Sequence, residues 1–182
     1  GACPETLFES QLFGHVRGAF TGAHQDRDGL VAEANGGTLV LDEINSLDLN
    51  SQVKLNHFLE SGCYRRVGEN KVLRADVRII SVTNINLLDE IARGRFRKDL
   101  YYRLIEYQIH IPSLKSRLDD IPLLLSHFCS LYSHLSQFDK PSFSKEFIKN
   151  AMRYEWPGNI RELEFFVKHC LVDASSPDID AK

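Results

Sequence analysis

Two acids, Asp42 and Glu43, stand directly behind the apolar run Thr38-Leu39-Val40-Leu41, and Asn84 stands directly behind a second run, Val77 to Thr83. Two arginines, Arg97 and Arg103, lie about two helical turns apart in Phe96-Arg97-Lys98-Asp99-Leu100-Tyr101-Tyr102-Arg103-Leu104. A third, Arg161, follows Trp156-Pro157-Gly158-Asn159-Ile160. These types suit phosphoryl transfer to water, which needs a metal clamp, a group that orients the water and cations for the developing charge. Asp42 could hold Mg through its water shell while Glu43 polarises the attacking water. The competing reading is that Asp42 caps the segment behind it. The Asn84 amide could hold a water or a γ-phosphate between strand ends, or simply make a turn. The Arg97 and Arg103 forks could reach a phosphate on a neighbouring subunit, or form a solvated basic face. In the first turn of a helix Arg161 opposes the helix dipole, and a bound anion would give it a purpose.

Another segment has no place in that chemistry. Gly18-Ala19-Phe20-Thr21-Gly22-Ala23 has glycines that permit a tight loop and an aromatic, Phe20, outside any core periodicity. An aromatic displayed on a loop is costly unless a partner receives it, and the alternative is an ordinary turn with Phe20 folded back into the core.

The elements that must carry these residues follow from pattern. Leu7, Phe8, Leu12 and Phe13 recur at helical spacing behind Pro4, Glu5 and Thr6, which predicts a helix ending at Gly14. Gly29 to Ala34 reads as a short helix. Thr38 to Leu41, bounded by glycines and acids, reads as a strand buried on both faces, with Asp42 and Glu43 at its carboxyl end. Asp48 or Asn50 caps a helix ended by Gly62, Arg65 to Asp76 reads as a hairpin or loop, and Val77 to Thr83 is a second buried strand. Leu87 to Ala92 and Arg97 to Leu104 read as short helices, and Tyr107 to Ile111 as a third strand stopped by Pro112. Beyond it only helices are expected, at 119–135, 144–153 and 159–172. The fold class is α/β, a parallel sheet with helices over residues 1–112, then a small helical subdomain over residues 113–182.

Composition narrows the function classes. The chain has 182 residues, 43% hydrophobic and 26% charged, with a net charge of −3, so it is globular and lacks the basic field that holds DNA phosphates. Direct DNA binding is not expected. Cys3, Cys63, Cys129 and Cys170 have no CxxC pair or metal-ligand spacing and read as reduced core thiols of a cytoplasmic protein. No apolar stretch is long enough for a membrane span.

The motifs together resemble the central AAA+ ATPase domain of sigma-54-dependent transcriptional activators, the bacterial enhancer-binding proteins. Gly18 to Ala23 spells GAFTGA, close to diagnostic for that family; GGTLVLDEI at 36–44 is similar to its Walker B strand and RIISVTN at 78–84 to its sensor I strand. FRKDLYYRL at 96–104 is similar to its arginine-finger helix, and WPGNIREL at 156–163 to its sensor II helix. The resemblance implies that Asp42 and Glu43 serve Mg and water, that Asn84 senses the γ-phosphate and that Arg97 and Arg103 act in trans across a ring of six or seven subunits. It also implies that Arg161 contacts nucleotide from the lid, and that Gly18, Ala19, Phe20, Thr21, Gly22 and Ala23 form the loop that grips sigma-54 on RNA polymerase. ATP and Mg are the implied cofactors. Gln11 stands where an acid is usual, and Ser113, Lys115 and Ser116 loosen a proline- and arginine-rich stretch. No G-x-x-x-x-G-K-[ST] loop occurs in the chain. The expectation is therefore a fragment whose natural N-terminus lies upstream and which alone neither binds nor hydrolyses ATP well. A non-catalytic scaffold presenting the same loop is the alternative, and an ATPase with another client, such as a chelatase subunit, is disfavoured by GAFTGA.

Overall fold

The computed structural model describes residues 5–180, with side chains from residue 8 onward; Cys3 and the expected helix start at Pro4 lie outside that range. The chain divides into two units, Gly1–Gln108 and Ile109–Lys182. In the first, α1 (Glu5–Phe13) leads into β1 (Gly14–His15), which pairs antiparallel with β2 (Arg27–Asp28). Next come α2 (Leu30–Glu33), β3 (Thr38–Leu41), a 3-10 turn at Ile44–Ser46 and α3 (Leu49–Ser61). β4 (Cys63–Tyr64) and β5 (Leu73–Arg74) form an antiparallel hairpin, and β6 (Arg78–Ser81), α4 (Leu87–Ala92) and α5 (Lys98–Leu104) complete the unit.

β3 and β6 pair in parallel, Thr38 opposite Arg78 through Leu41 opposite Ser81. Their entry is set by loop chemistry. Gly36, at φ +77°, donates to the Asp76 carbonyl, the Gly37 carbonyl receives the Arg78 N–H, and the Asn35 side chain accepts from Asp76 N–H at 2.8 Å. Behind β3, α3 begins on Asp48, whose carboxylate accepts the Asn50 and Ser51 N–H groups at 2.9 Å each and the Ser51 hydroxyl at 2.5 Å. Burial alone would raise that carboxyl's pKa; the hydrogen bonds from Ser51 and Asn50 outweigh it and hold it below the ordinary value. Gly62, at φ +67°, closes the helix by donating to Phe58. The helix buries Leu55 and Phe58 against Leu12, Phe13, Ile44, Tyr64 and Leu100, and Phe13, Phe58 and Tyr64 make a three-ring cluster with centroids 6.1–6.3 Å apart.

Two strand expectations need correction. Leu39, Leu41 and Ile79 face the core, but Val40, Ile80 and Val82 are 58%, 43% and 44% exposed, so the ribbon is covered on one face only among the described residues. Tyr107 to Ile111 is not a strand. Its alternation is real, but a strand needs a ladder partner; none is paired with it among the described residues, and Tyr107, Ile109 and Ile111 are 94%, 87% and 76% exposed.

The second unit is helical apart from one two-residue strand pair. α6 (Ile121–Leu131), α7 (Lys145–Ala151) and α8 (Asn159–Val172) surround a core that includes Leu125, Phe128, Phe147, Trp156, Leu163 and Val167, while β7 (Ser142–Phe143) pairs in parallel with β8 (Asp178–Ile179). Pro122 in the first turn of α6 explains its later start than the sequence pattern gave, since a proline there needs no N–H partner. Cys129 is buried and donates to the Pro141 carbonyl, Cys63 and Cys170 are half-buried, and all three are free thiols. Burial, with the Asp173 charge, pushes the Cys170 thiol up to about 11.

The pairing of β1 with β2 forms a neck around residues 16–26, and here glycine is mandatory. A Cβ on Gly29 would lie 2.3 Å from Gly14 N and 2.4 Å from the Phe13 carbonyl carbon, and one on Gly14, at φ +81°, would lie 2.5 Å from the Arg27 oxygen. Gly29→Ala is therefore expected to destabilise the protein by about 3 kcal/mol, since backbone would have to separate from backbone. Chemical denaturation checks this, and a midpoint unchanged from the parent would show that the neck tolerates a side chain.

Candidate functional site

Because β3 and β6 run parallel and in register, the segments leaving them emerge at one edge. The ladder continues past both strands: Val82 N–H donates to Leu41 O at 2.9 Å and Ile44 N–H to Val82 O at 3.0 Å. Asp42 and Glu43 thus share an edge with Thr83 and Asn84, and the Thr83 hydroxyl donates to Asn45 Oδ1 at 2.7 Å across it. Asp42, Glu43 and Asn84 are all exposed. Glu43 holds φ +51°, ψ +48°, the left-handed region that L side chains rarely occupy, and its N–H is held by Asp42 Oδ1 at 2.9 Å. Strain of this kind survives where the surroundings over-determine the backbone, and it turns the Glu43 side chain out of the line of β3.

Arg97 stands at the N-cap position of α5 and Arg103 lies in its last turn, both on the surface of the first unit, their side chains 41% and 36% exposed. Neither is sealed inside the subunit, yet neither stands alone. The Arg97 guanidinium donates from Nε and Nη2 to both Asp99 oxygens, at 3.0 and 2.7 Å, and Arg103 lies 3.6 Å from Glu60. The Arg97 fork holds the Asp99 carboxyl below its ordinary pKa, and the carboxylate in turn raises the guanidinium's. Next to them Glu90, largely buried, takes a two-pronged bond from Arg95 at 2.6 and 2.7 Å and a third contact from Arg93, which lower its pKa, the Arg95 bonds most.

The loop at Gly18 to Ala23 is a compact turn. Gly18 at φ +82° donates to the Ala23 carbonyl, Ala23 donates to Phe20, and Gly22 at φ +105° completes the reversal. Thr21 and Gly22 are exposed and Ala23 is buried. Phe20 is not displayed free at the tip. It is half-buried, edge-on to the His15 ring at a centroid distance of 5.1 Å, and His15, itself buried, shares a 2.7 Å hydrogen bond with the Ser10 hydroxyl. The hairpin loop closes on the same base: Val67 pairs with Gly14 and Val16, and a Cβ on Gly68 would meet that of Ala19 at 2.7 Å.

Arg161 belongs to the second unit, exposed in the first turn of α8. Its turn is built with care: Trp156 and Asn159 take φ +50° and +54°, the Trp156 indole donates to Ala151 O, Asn159 Oδ1 accepts from Leu114 N–H, and Glu162 accepts from Gly158 N–H. Sequence reasoning missed His15, Gly68, Asp99 and Gln52. Of these only Gln52 left a signal, a polar residue three positions before Leu55 on the buried stripe of α3.

The profile of the sigma-54 interaction domain matches residues 1–110, and that of the AAA+ ATPase lid domain matches residues 115–182. The transcriptional regulatory protein GlrR of Escherichia coli is 46% identical over 98% of this chain and 40% of its own length. The transcriptional regulator VasH of Vibrio cholerae is 42% identical over 99% of this chain and 34% of its own length. Among solved structures, NtrX from Brucella abortus in complex with ADP superposes with a TM-score of 0.85 at 31% identity, covering 99% of this chain and 40% of NtrX. NtrX in complex with ATP gives 0.81 at 32% identity, over 93% and 38%. The chain thus spans two fifths or less of the length of these relatives.

The Glu43 backbone makes a prediction that needs no knowledge of the reaction. Glu43→Gly should be more stable than Glu43→Ala by about 1 kcal/mol, because glycine relieves the left-handed conformation and alanine does not. Thermal unfolding of the two variants compares them, and equal melting temperatures would show that no strain is stored there.

Proposed function

The chain belongs to the sigma-54 interaction domain family with its AAA+ lid, and from that premise we propose that it is the motor segment of a transcriptional regulator, in which ATP hydrolysis remodels RNA polymerase carrying sigma-54. The observation that carries this reading is the common edge of β3 and β6, along which Asp42, Glu43 and Asn84 lie. Exposed acids and an amide at the carboxyl ends of parallel strands are placed for a ligand bound across the strand ends.

The donor set suits Mg. Among the described residues no three His, Cys, Asp or Glu gather to hold a metal unaided. The Asp42 carboxylate on an open edge matches an ion that keeps most of its waters and takes its remaining ligands from phosphate. Asp42 holds that water shell, and Mg when bound neutralises charge developing on the phosphate oxygens. Glu43 orients and polarises the attacking water, and Asn84 reads the γ-phosphate position. Arg161 contacts nucleotide from the lid. The complexes of NtrX with ADP and ATP support a nucleotide as the ligand of this fold.

Arg97 and Arg103 act across a ring interface on the phosphate held by a neighbouring subunit. Their present partners, Asp99 and Glu60, are solvent-exposed, so these pairs are weak and a phosphate can displace them. Phe20 and Thr21 grip sigma-54, and the β1–β2 neck joins their loop to the segment that leads into β3. The protein works in the cytoplasm as a ring of six or seven subunits. With a net charge of −3 this segment has no basic field for DNA phosphates and does not itself bind DNA.

Two measurements test the reading. In the full-length protein Phe20→Ala should abolish transcription activation while most ATP turnover persists, because the ring supplies the partner contact and none of the chemistry. Activation that survives would remove Phe20 from the grip. The second concerns the missing phosphate loop: titration calorimetry of the 182-residue chain alone should give Mg-ATP binding weaker than micromolar, since backbone N–H groups and a lysine on the β and γ phosphates are lacking. Micromolar binding would mean that the edge residues suffice.

A further inference from the structure

Among the described residues the most deeply buried polar side chain of the first unit is Gln52 on α3, with no surface exposed. A core amide is costly unless every polar atom finds a partner, and Gln52 does. Its Nε2 donates to Leu47 O at 2.8 Å and to Arg95 O at 2.9 Å, and its Oε1 accepts from Arg97 N–H at 2.8 Å. Two carbonyls can only accept and an N–H can only donate, so these partners dictate which way the amide points.

The geometry at residues 95 and 97 has a plain meaning. Arg95-Phe96-Arg97 joins α4 to α5, and Arg97 is extended at φ −81°, ψ +133°. A neighbouring strand would pair with the Arg95 carbonyl and the Arg97 N–H, and here one side-chain amide supplies both bonds. Phe96, 3% exposed, fixes the middle of the stretch in the core. The third partner, Leu47, ends the 3-10 turn that follows Asp42 and Glu43.

We infer that Gln52 is a positioning residue for Arg97, tying the backbone from which that arginine projects to the turn behind the Asp42 and Glu43 acids. The inference rests on the reading of Arg97 as the arginine that acts on a neighbouring subunit's phosphate. Among the described residues the guanidinium tip is held only by exposed Asp99, so the aim of the side chain is set at its backbone end. Without Gln52 the Arg97 N–H and the Leu47 and Arg95 carbonyls lose their partners together, and the start of α5 is free to pivot about Phe96. A misplacement of about 1 Å in a group that meets the reacting phosphate costs on the order of 100-fold in rate.

The test uses the full-length protein with Gln52→Met, which keeps length and volume but removes the hydrogen bonds, and Gln52→Asn, whose amide falls one methylene short. Both should lower ATP turnover by roughly tenfold or more with KM for ATP little changed. On this reading each variant keeps its own Asp42, Glu43 and Asn84 and supplies a poor arginine to its neighbour. Mixing it with Asp42→Asn subunits, which supply a good arginine beside a dead site, should therefore restore turnover at up to roughly a quarter of the interfaces in an equal mixture. A merely structural defect gives no such recovery. If Gln52→Met fails to fold, as its melting curve will show, Gln52→Asn carries the test. Arg97→Ala runs in parallel. Should it turn over normally, the trans role of Arg97 is wrong and that of Gln52 falls with it. Should Arg97→Ala lose turnover and recover on mixing while the folded Gln52 variant keeps its rate or gains nothing from mixing, Gln52 alone is overturned.

Discussion

Four rungs of parallel pairing between β3 and β6 govern the rest of the first unit. A ladder this short is weak by itself. It holds because Leu39, Leu41 and Ile79 press one face into the core and because the entry loops are fixed by Gly36, Gly37 and Asn35. The register matters more than the strength. A slip of one residue would turn Leu41 away from the core and shift Asp42 and Glu43 relative to Thr83 and Asn84, so hydrophobic burial on one face enforces the polar arrangement at the edge.

At that edge the protein accepts local costs. Glu43 sits in a left-handed conformation, and the extended stretch before α5 finds its hydrogen bonds in a side chain instead of a strand. In the second unit Trp156 and Asn159 hold positive φ in the turn before Arg161. In these three cases the awkward segment lies beside residues with a proposed role, whereas Lys140, at φ +61°, lies beside none. Such a distribution is expected where a backbone must aim a side chain and the neighbouring packing can hold it there.

Much of this was legible in the residues. Asp48 and Gly62 bracket α3 because a carboxylate can receive N–H groups at one end and glycine can take positive φ at the other, and both ends fall where they were expected. β3 and β6 were legible as short apolar runs between turn residues. What the pattern could not give was the cover on their second face, since an apolar run looks the same whether one side is packed or two. Tyr107 to Ile111 shows the same limit, because alternation describes a strand's faces and says nothing of who pairs with it. β1 and β2 are two residues each, too short for any period, and the contact of Phe20 with His15 joins a loop tip to a neck that only the three-dimensional path brings together. Gln52 was visible as a polar residue on an apolar stripe; its partners 43 and 45 residues away were not.

The glycine crossing at the neck has a mechanical consequence. Where Gly14 meets Gly29, main chain touches main chain with no side chain between them to rotate or compress. Such a joint has little compliance. A displacement of α2, whose chain continues into β3, would reach β1 through main chain directly and not through rotatable side chains. Side-chain packing would have acted as a cushion; bare peptide planes act as a hinge pin.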